Sequence, residues 1–155
     1  MVKQRKRTNS NLPAKGRLRD IADRLWSKAI AADWGHRCAV CGKGKTEAHH
    51  LIPRQNYRFR YDLTNGIALC AQHHKFDTDI APHQNAAGWL SWLDEYCLWR
   101  AEWLTDNCRR QFTGTTNAAF FCDTILRLRQ YFEADEFERI VGVKLTAYLT
   151  QEYTA

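Results

Sequence analysis

Cys38-Ala-Val-Cys41 and Cys70-Ala-Gln-His73 place four metal-binding side chains in two pairs of equal spacing. Two intervening residues let a tight knuckle aim both members of a pair at one ion, and two knuckles close a four-coordinate site. Three thiolates and one imidazole suit zinc and leave no position open to water. The spacing therefore predicts a structural ion that fixes the ends of a segment too small and polar to fold around a core of its own. A redox CxxC would stand between a strand and a helix, and no such context precedes Cys38. Two histidine pairs, His49-His50 and His73-His74, are interleaved with the knuckles. An isolated histidine is most simply a surface or core residue; four in two adjacent pairs point to chemistry. In an extended segment neighbouring side chains face opposite sides, so His49 and His50 need not share a task. At the start of a helix consecutive residues point about 100° apart, so His73 can face zinc while His74 faces elsewhere.

The run RCAVCGKGKTEAHHLIPRQNYRFRYDLTNGIALCAQHHK, with its order His-His, Asn65, His-His between two knuckles, resembles the HNH endonuclease family. The likeness covers roughly residues 37–76, or 17–93 with the flanking segments. It is also similar to the stand-alone HNH proteins encoded by phages. The resemblance implies an α+β fold: a small ββα-metal core stabilised by a structural zinc, with a leading helix and a C-terminal helical extension. It implies a metal-dependent DNA endonuclease or nickase with His50 as general base. His49 and His74 would hold a catalytic divalent metal, Mg, Mn or another. Asn65 would tether the loop that supports His50. Phosphodiester hydrolysis needs a base and a cation to offset developing charge, and neutral imidazole, with a reference pKa of about 6.5, suits the first role. Two departures from the family pattern stand out. Many zinc-containing members have Cys at the position of His73, and zinc accepts either. A further His is common one turn after His74, where this chain has Thr78; the third ligand then falls to Asp77, or to His83 if Asp77–Pro82 is an insertion. Asn65-Gly66 is also the preferred pair for a tight hairpin turn, and the turn and tether readings are compatible.

Charge points to the same partner. Net charge is +6, but residues 1–19 hold seven bases and no acid, and residues 37–60 hold six bases against Glu47 alone. Such clustering is the footprint expected for a phosphate backbone, and nominates Lys3, Arg5, Lys6, Arg7, Arg54, Arg58 and Arg60 as DNA contacts. Residues 89–155 carry an excess of acids and look unsuited to that partner.

The elements around these residues follow from hydrophobic spacing. Residues 1–16 read as a basic disordered tail, 17–93 as the nuclease domain and 94–155 as a helical extension. Leu18, Ile21, Leu25 and Ala29, widened by Trp26 and Ile30, predict an amphipathic helix over 17–34 that Gly35 ends. Ile67-Ala68-Leu69 reads as a short strand. Helices are expected over 86–104, where Trp89, Trp92, Tyr96, Trp99 and Trp103 form a core stripe, and over 117–133 and 136–149, with Asn117 and Asp135 as N-caps. Cys97, Cys108 and Cys122 read as buried thiols. No apolar run reaches the eighteen or so residues of a membrane span, and the basic start lacks the apolar stretch of a secretory signal, so a cytosolic setting is expected. Two other functions remain in view. A zinc-stabilised nucleic-acid-binding module would explain the knuckles and charge but leave His49, His50, Asn65 and His74 without a task. A protein-interaction adaptor would explain only the Trp-rich end.

Overall fold

The computed structural model describes residues 12–153 of the chain, with side chains through Gln151. Lys3, Arg5, Lys6 and Arg7, and most of the expected tail, lie outside the described residues. The order is α1 (Lys15–Asp33), β1 (Thr46–His50), β2 (Gly66–Cys70), one wide helical turn (Gln72–Phe76), α2 (Ala86–Tyr96), α3 (Leu98–Asn107), α4 (Ala118–Leu128), α5 (Ala134–Val141) and α6 (Val143–Tyr153). This is an α+β fold whose hairpin and following turn form a ββα unit, flanked by N- and C-terminal helices. No helix among the described residues is long and apolar enough to cross a membrane.

The hairpin sits between two cores. β1 and β2 pair antiparallel, with His49 opposite Ile67 and His50 opposite Gly66. All of β2 is buried. Strand alternation sends Ile67 and Leu69 into a core with Trp89, Leu93, Cys97 and Ala101 of the α2–α3 region. It sends Ala68 the other way, into the larger core built by α1, α4, α5 and α6. The stripe expected on α1 is the buried face: Leu18, Leu25 and Ile30 are fully enclosed, each contributing about 1.5–3 kcal/mol of burial free energy. The helix starts two residues earlier than its spacing suggests, at Lys15. It ends at Trp34, where Gly35 and His36 both turn into positive φ.

Several expectations change. The long helix over 86–104 is two, broken at Cys97, whose φ of −144° and ψ of 47° cannot continue a helix. The aromatic stripe is core only in part: Trp89 is 4% exposed, but Tyr96 is 66% and Trp99 54% exposed. The last predicted helix, over 136–149, is split at Gly142, held at φ +93°, into α5 and α6. Its start is capped by Glu133 backbone rather than Asp135, whose side chain lies inside the first turn. Asn117 does cap α4, accepting from the Phe120 N–H at 2.9 Å. Cys97 and Cys122 are buried as expected, but Cys108 is exposed. The residue 93–94 boundary falls within α2, and the second core continues across it to Ala101.

Asn65-Gly66 does not form a two-residue turn. The strands are joined by residues 51–65, and neither Asn65 nor Gly66 has positive φ. Gly66 is small for a different reason. A Cβ there would strike Ile30 Cδ1 and come within 2.8 Å of Trp26 Cζ2, so the missing side chain is what lets α1 lie against the hairpin.

Candidate metal centres at the hairpin

The turn between Cys38 and Cys41 is closed by the Gly42 N–H on the Cys38 carbonyl at 2.8 Å, with Gly42 at φ +70°. The Cys38 N–H in turn donates to Lys43 O at 2.8 Å. Cys70 ends β2, and His73 stands in the wide turn that follows. These residues bring four donor atoms within 4.8 Å of one another. Cys41 and Cys70 sulfurs are 3.9 Å apart, and His73 Nδ1 lies 3.6 Å from Cys38 Sγ and 3.3 Å from Cys70 Sγ. A tetrahedral zinc with Zn–S near 2.3 Å separates its sulfurs by about 3.8 Å, so the donor set fits that ion. Burial opposes ionisation of Cys38, but N–H groups of Cys70, Cys41 and Val40, with His73, outweigh it and hold the thiol at about 6. The thiolate a metal needs is therefore accessible at neutral pH.

A second cluster stands on the α2 face. His49 is on β1, His74 follows His73 in the wide turn, and His83 comes from the loop before α2. His74 Nε2 lies 3.2 Å from His49 Nδ1 and 3.1 Å from His83 Nε2. These separations match three imidazoles meeting at bond lengths of about 2.0–2.1 Å on one ion. His74 Nδ1 donates to Glu47 Oε2 at 2.7 Å, which leaves the Nε2 lone pair facing the other two rings. Glu47 is itself held by Lys75 and then His74, which keep its carboxyl below the usual range. Burial, then the charges of His74, His83 and His50, push His49 down to about 3. Burial lowers His74 as well. Neutral imidazoles are the form that ligates. Three of them without a carboxylate suit zinc, nickel or a similar transition ion better than magnesium, which prefers oxygen.

Of the two alternatives for a third donor, His83 joins this cluster and Asp77 does not. Asp77 Oδ1 accepts from the Asp79 and Ile80 N–H groups at 2.9 and 3.0 Å, and its Oδ2 lies 3.9 Å from His73 Nε2. Those backbone donors hold its carboxyl below the ordinary value.

His50 points the opposite way, toward α1. Its ring stacks on Trp26 at 3.8 Å between centroids and 13° between planes. Its Nε2 is 2.9 Å from Arg60 O. A carbonyl only accepts, so the proton sits on Nε2 and the Nδ1 lone pair is free. Burial is the main cause that lowers His50 to about 4, so the ring is neutral at pH 7. A cavity of about 410 Å³ is lined by His49, His50, Arg54, His74 and His83 together, so both sides of the strand end reach one space.

Asn65 is fully buried beneath this arrangement. Its Oδ1 accepts from the Ile52 N–H at 2.6 Å, and its Nδ2 donates to Ile52 O and Phe59 O at 3.0 and 3.1 Å. The Leu51 N–H donates to its backbone oxygen at 2.9 Å. One amide thus pins both ends of the segment that carries the Arg60 carbonyl.

The basic residues divide. Arg54 and Arg58 are exposed, and Arg54 lines the cavity. Arg60 is 6% exposed, its guanidinium bonded to Asp23 at 2.9 and 2.6 Å and to Arg54 O at 2.8 Å. It is thereby occupied inside the protein, which corrects its reading as a phosphate contact. Glu47, Trp26 and the Arg60 carbonyl were not singled out by sequence reasoning. Glu47 could have been, since strand positions 47 and 49 share a face; the other two depend on tertiary packing.

Residues 38–77 match a family model described as HNH endonuclease. No curated protein and no solved structure matches the chain.

Proposed function

We propose, from the HNH endonuclease domain at residues 38–77, that this protein is a metal-dependent DNA endonuclease or nickase in which His50 is the general base. The observation that carries the reading is the juxtaposition in one cavity of an imidazole with a free Nδ1 and three imidazoles spaced for one ion. His50 Nδ1 takes a proton from a water lying in the cavity; that water's oxygen then bonds to phosphorus as the opposite P–O bond breaks. Hydrogen bonding of Nε2 to Arg60 O fixes the tautomer before reaction and steadies the imidazolium that forms. Trp26 holds the ring plane of a residue that lines the cavity. His49, His74 and His83 would hold a divalent cation, which would supply positive charge against the crowded phosphorus and departing oxygen. Asn65 keeps the base's acceptor in place. Cys38, Cys41, Cys70 and His73 hold a structural zinc that anchors the hairpin ends. Arg54 and Arg58, with Lys3, Arg5, Lys6 and Arg7, contact the phosphate backbone.

The test is plasmid nicking across Mg, Mn, Ni and Zn with wild type and His50→Ala in parallel. Metal-dependent conversion of supercoiled to open-circle DNA, lost in the variant, is expected. Salt-sensitive DNA binding with no cleavage under any metal would return the protein to the binding-module class.

A further inference from the structure

The most deeply buried cation among the described residues is Arg100 on α3, 2% exposed and well outside the matched HNH segment. A buried guanidinium costs several kcal/mol unless it is paired and hydrogen-bonded. Its partners are specific. Nη1 donates to the carbonyls of Leu63 at 3.1 Å and Thr64 at 2.8 Å, and to that of Gly66. Nη2 donates to Asp33 Oδ2 at 3.2 Å. The plane lies between Trp34 and Trp99, 5.0 and 4.4 Å from their centroids, which gives the exposed Trp99 a task. Nε has no partner among the described residues, so the orientation is set by Nη1, Nη2 and the flanking rings.

The three carbonyls bracket Asn65. Leu63 O also accepts the Gly66 N–H at 3.0 Å, so Arg100 fastens a turn that the backbone itself closes. Asn65 holds Ile52 and Phe59, and the next carbonyl along, that of Arg60, accepts from His50. The same connection accepts the Trp26 indole N–H on Asp62 O at 3.0 Å. Both restraints on His50, its acceptor and its stacking partner, thus hang on the segment whose end Arg100 fastens.

We propose that Arg100 is a positioning residue for the nuclease site: it clamps the carbonyls on either side of Asn65 and thereby fixes the Nε2-protonated orientation of His50. The claim rests on the assignment of His50 as base for its meaning, but not for its geometry. It makes α3, which lies beyond the matched segment, part of the site's support.

The experiment compares Arg100→Met and Arg100→Lys with wild type in nicking kinetics, thermal unfolding and ¹⁵N-histidine NMR of the His50 ring. Misplacement of a reacting group by about 1 Å costs on the order of 10²-fold. Arg100→Met should therefore lose about that in kcat with KM little changed. Arg100→Lys, able to reach some of the carbonyls but not to stack and fork, should fall between. In both, the His50 signal should move from a single Nε2–H tautomer toward a mixture. Adding Arg100→Met to Asn65→Ala should cost little more than Asn65→Ala alone, because the two act on one segment. Wild-type kcat and an unmoved His50 signal in Arg100→Met, or losses that add in the double variant, would overturn the proposal. If Arg100→Met does not fold, Arg100→Lys decides: an unmoved ring signal refutes the claim and a mixed one supports it. A wild type that never nicks removes the nuclease reading, and the ring signal still decides the positioning role.

Discussion

Two adjacent residues, His73 and His74, belong to two clusters that differ in donors and outlook. The first combines three sulfurs with one nitrogen, four donors in all. The second has three nitrogens and opens on a cavity of about 410 Å³. Four donors saturate a tetrahedral ion; three leave it reactive. A single turn of chain thus separates a set suited to holding structure from one suited to chemistry. Side-chain direction, rather than distance along the sequence, makes the separation.

The sharpest way to break this contrast is to remove one donor from each cluster. Cys70→Ser should have the largest effect. Structural zinc in small domains contributes roughly 10–16 kcal/mol of apparent binding free energy, so its loss should release metal and abolish the cooperative folding of the hairpin region. Elemental analysis and thermal unfolding measure both. His83→Ala, by comparison, should unfold like wild type.

Around the shared cavity the proposed contrast lies between base and ligand. His50→Ala should lose about 10²–10⁴-fold in nicking rate, and added metal should not restore it. His74→Ala and His49→Ala should lose metal affinity and recover in part as metal is raised, since mass action can replace a ligand but not a base. A titration of nicking rate against metal separates them; the opposite pattern would exchange the two roles.

A smaller effect tests the support behind His74. Glu47→Gln keeps the shape but weakens the acceptor on Nδ1, and should reduce metal affinity by about 10–100-fold without altering the fold. Isothermal titration of the second ion reads it directly.

The mildest probe is acid. Unfolded, His49 and His50 titrate near 6.5; folded, burial holds them near 3 and 4. As pH falls below about 6.5 the unfolded chain takes up protons that the folded chain refuses. Stability should be fully present above that pH and decline progressively toward pH 3–4. Denaturant midpoints measured from pH 8 to pH 4 should trace the decline, and it should be shallower in His50→Ala.

The contrast also explains what could be read in advance. The knuckles and paired histidines were legible because their geometry is local: spacing within four residues fixes it. The apolar face of α1 was legible because burial repeats with the helical period. Arg60 was misjudged because charge counting sees a cation and not its partner, and Asp23 stands 37 residues away. Asn65-Gly66 carries two readings, a tight turn and a tether; the pair forms no two-residue turn, and here Gly66 serves packing against Ile30 and Trp26 while the Asn65 amide bonds Ile52 and Phe59. The break at Cys97 left no signal, since no proline or glycine marks it. Choice between Asp77 and His83 needed the path of a loop, which no local period encodes.

The wide turn over Gln72–Phe76, closed by the Asp77 N–H on Gln72 O at 2.9 Å, has a consequence for the order of assembly. His74 cannot be presented to His49 until that turn exists, and the turn is anchored by Cys70 and His73. If both clusters take ions as proposed, loading should run in sequence, the sulfur-rich cluster steadying the turn on which the imidazole trio depends. Stripping should run in reverse, the trio giving up its ion before the cysteines do. A chelator should thus act on this protein in two stages, of which the earlier is undone by simply returning the metal.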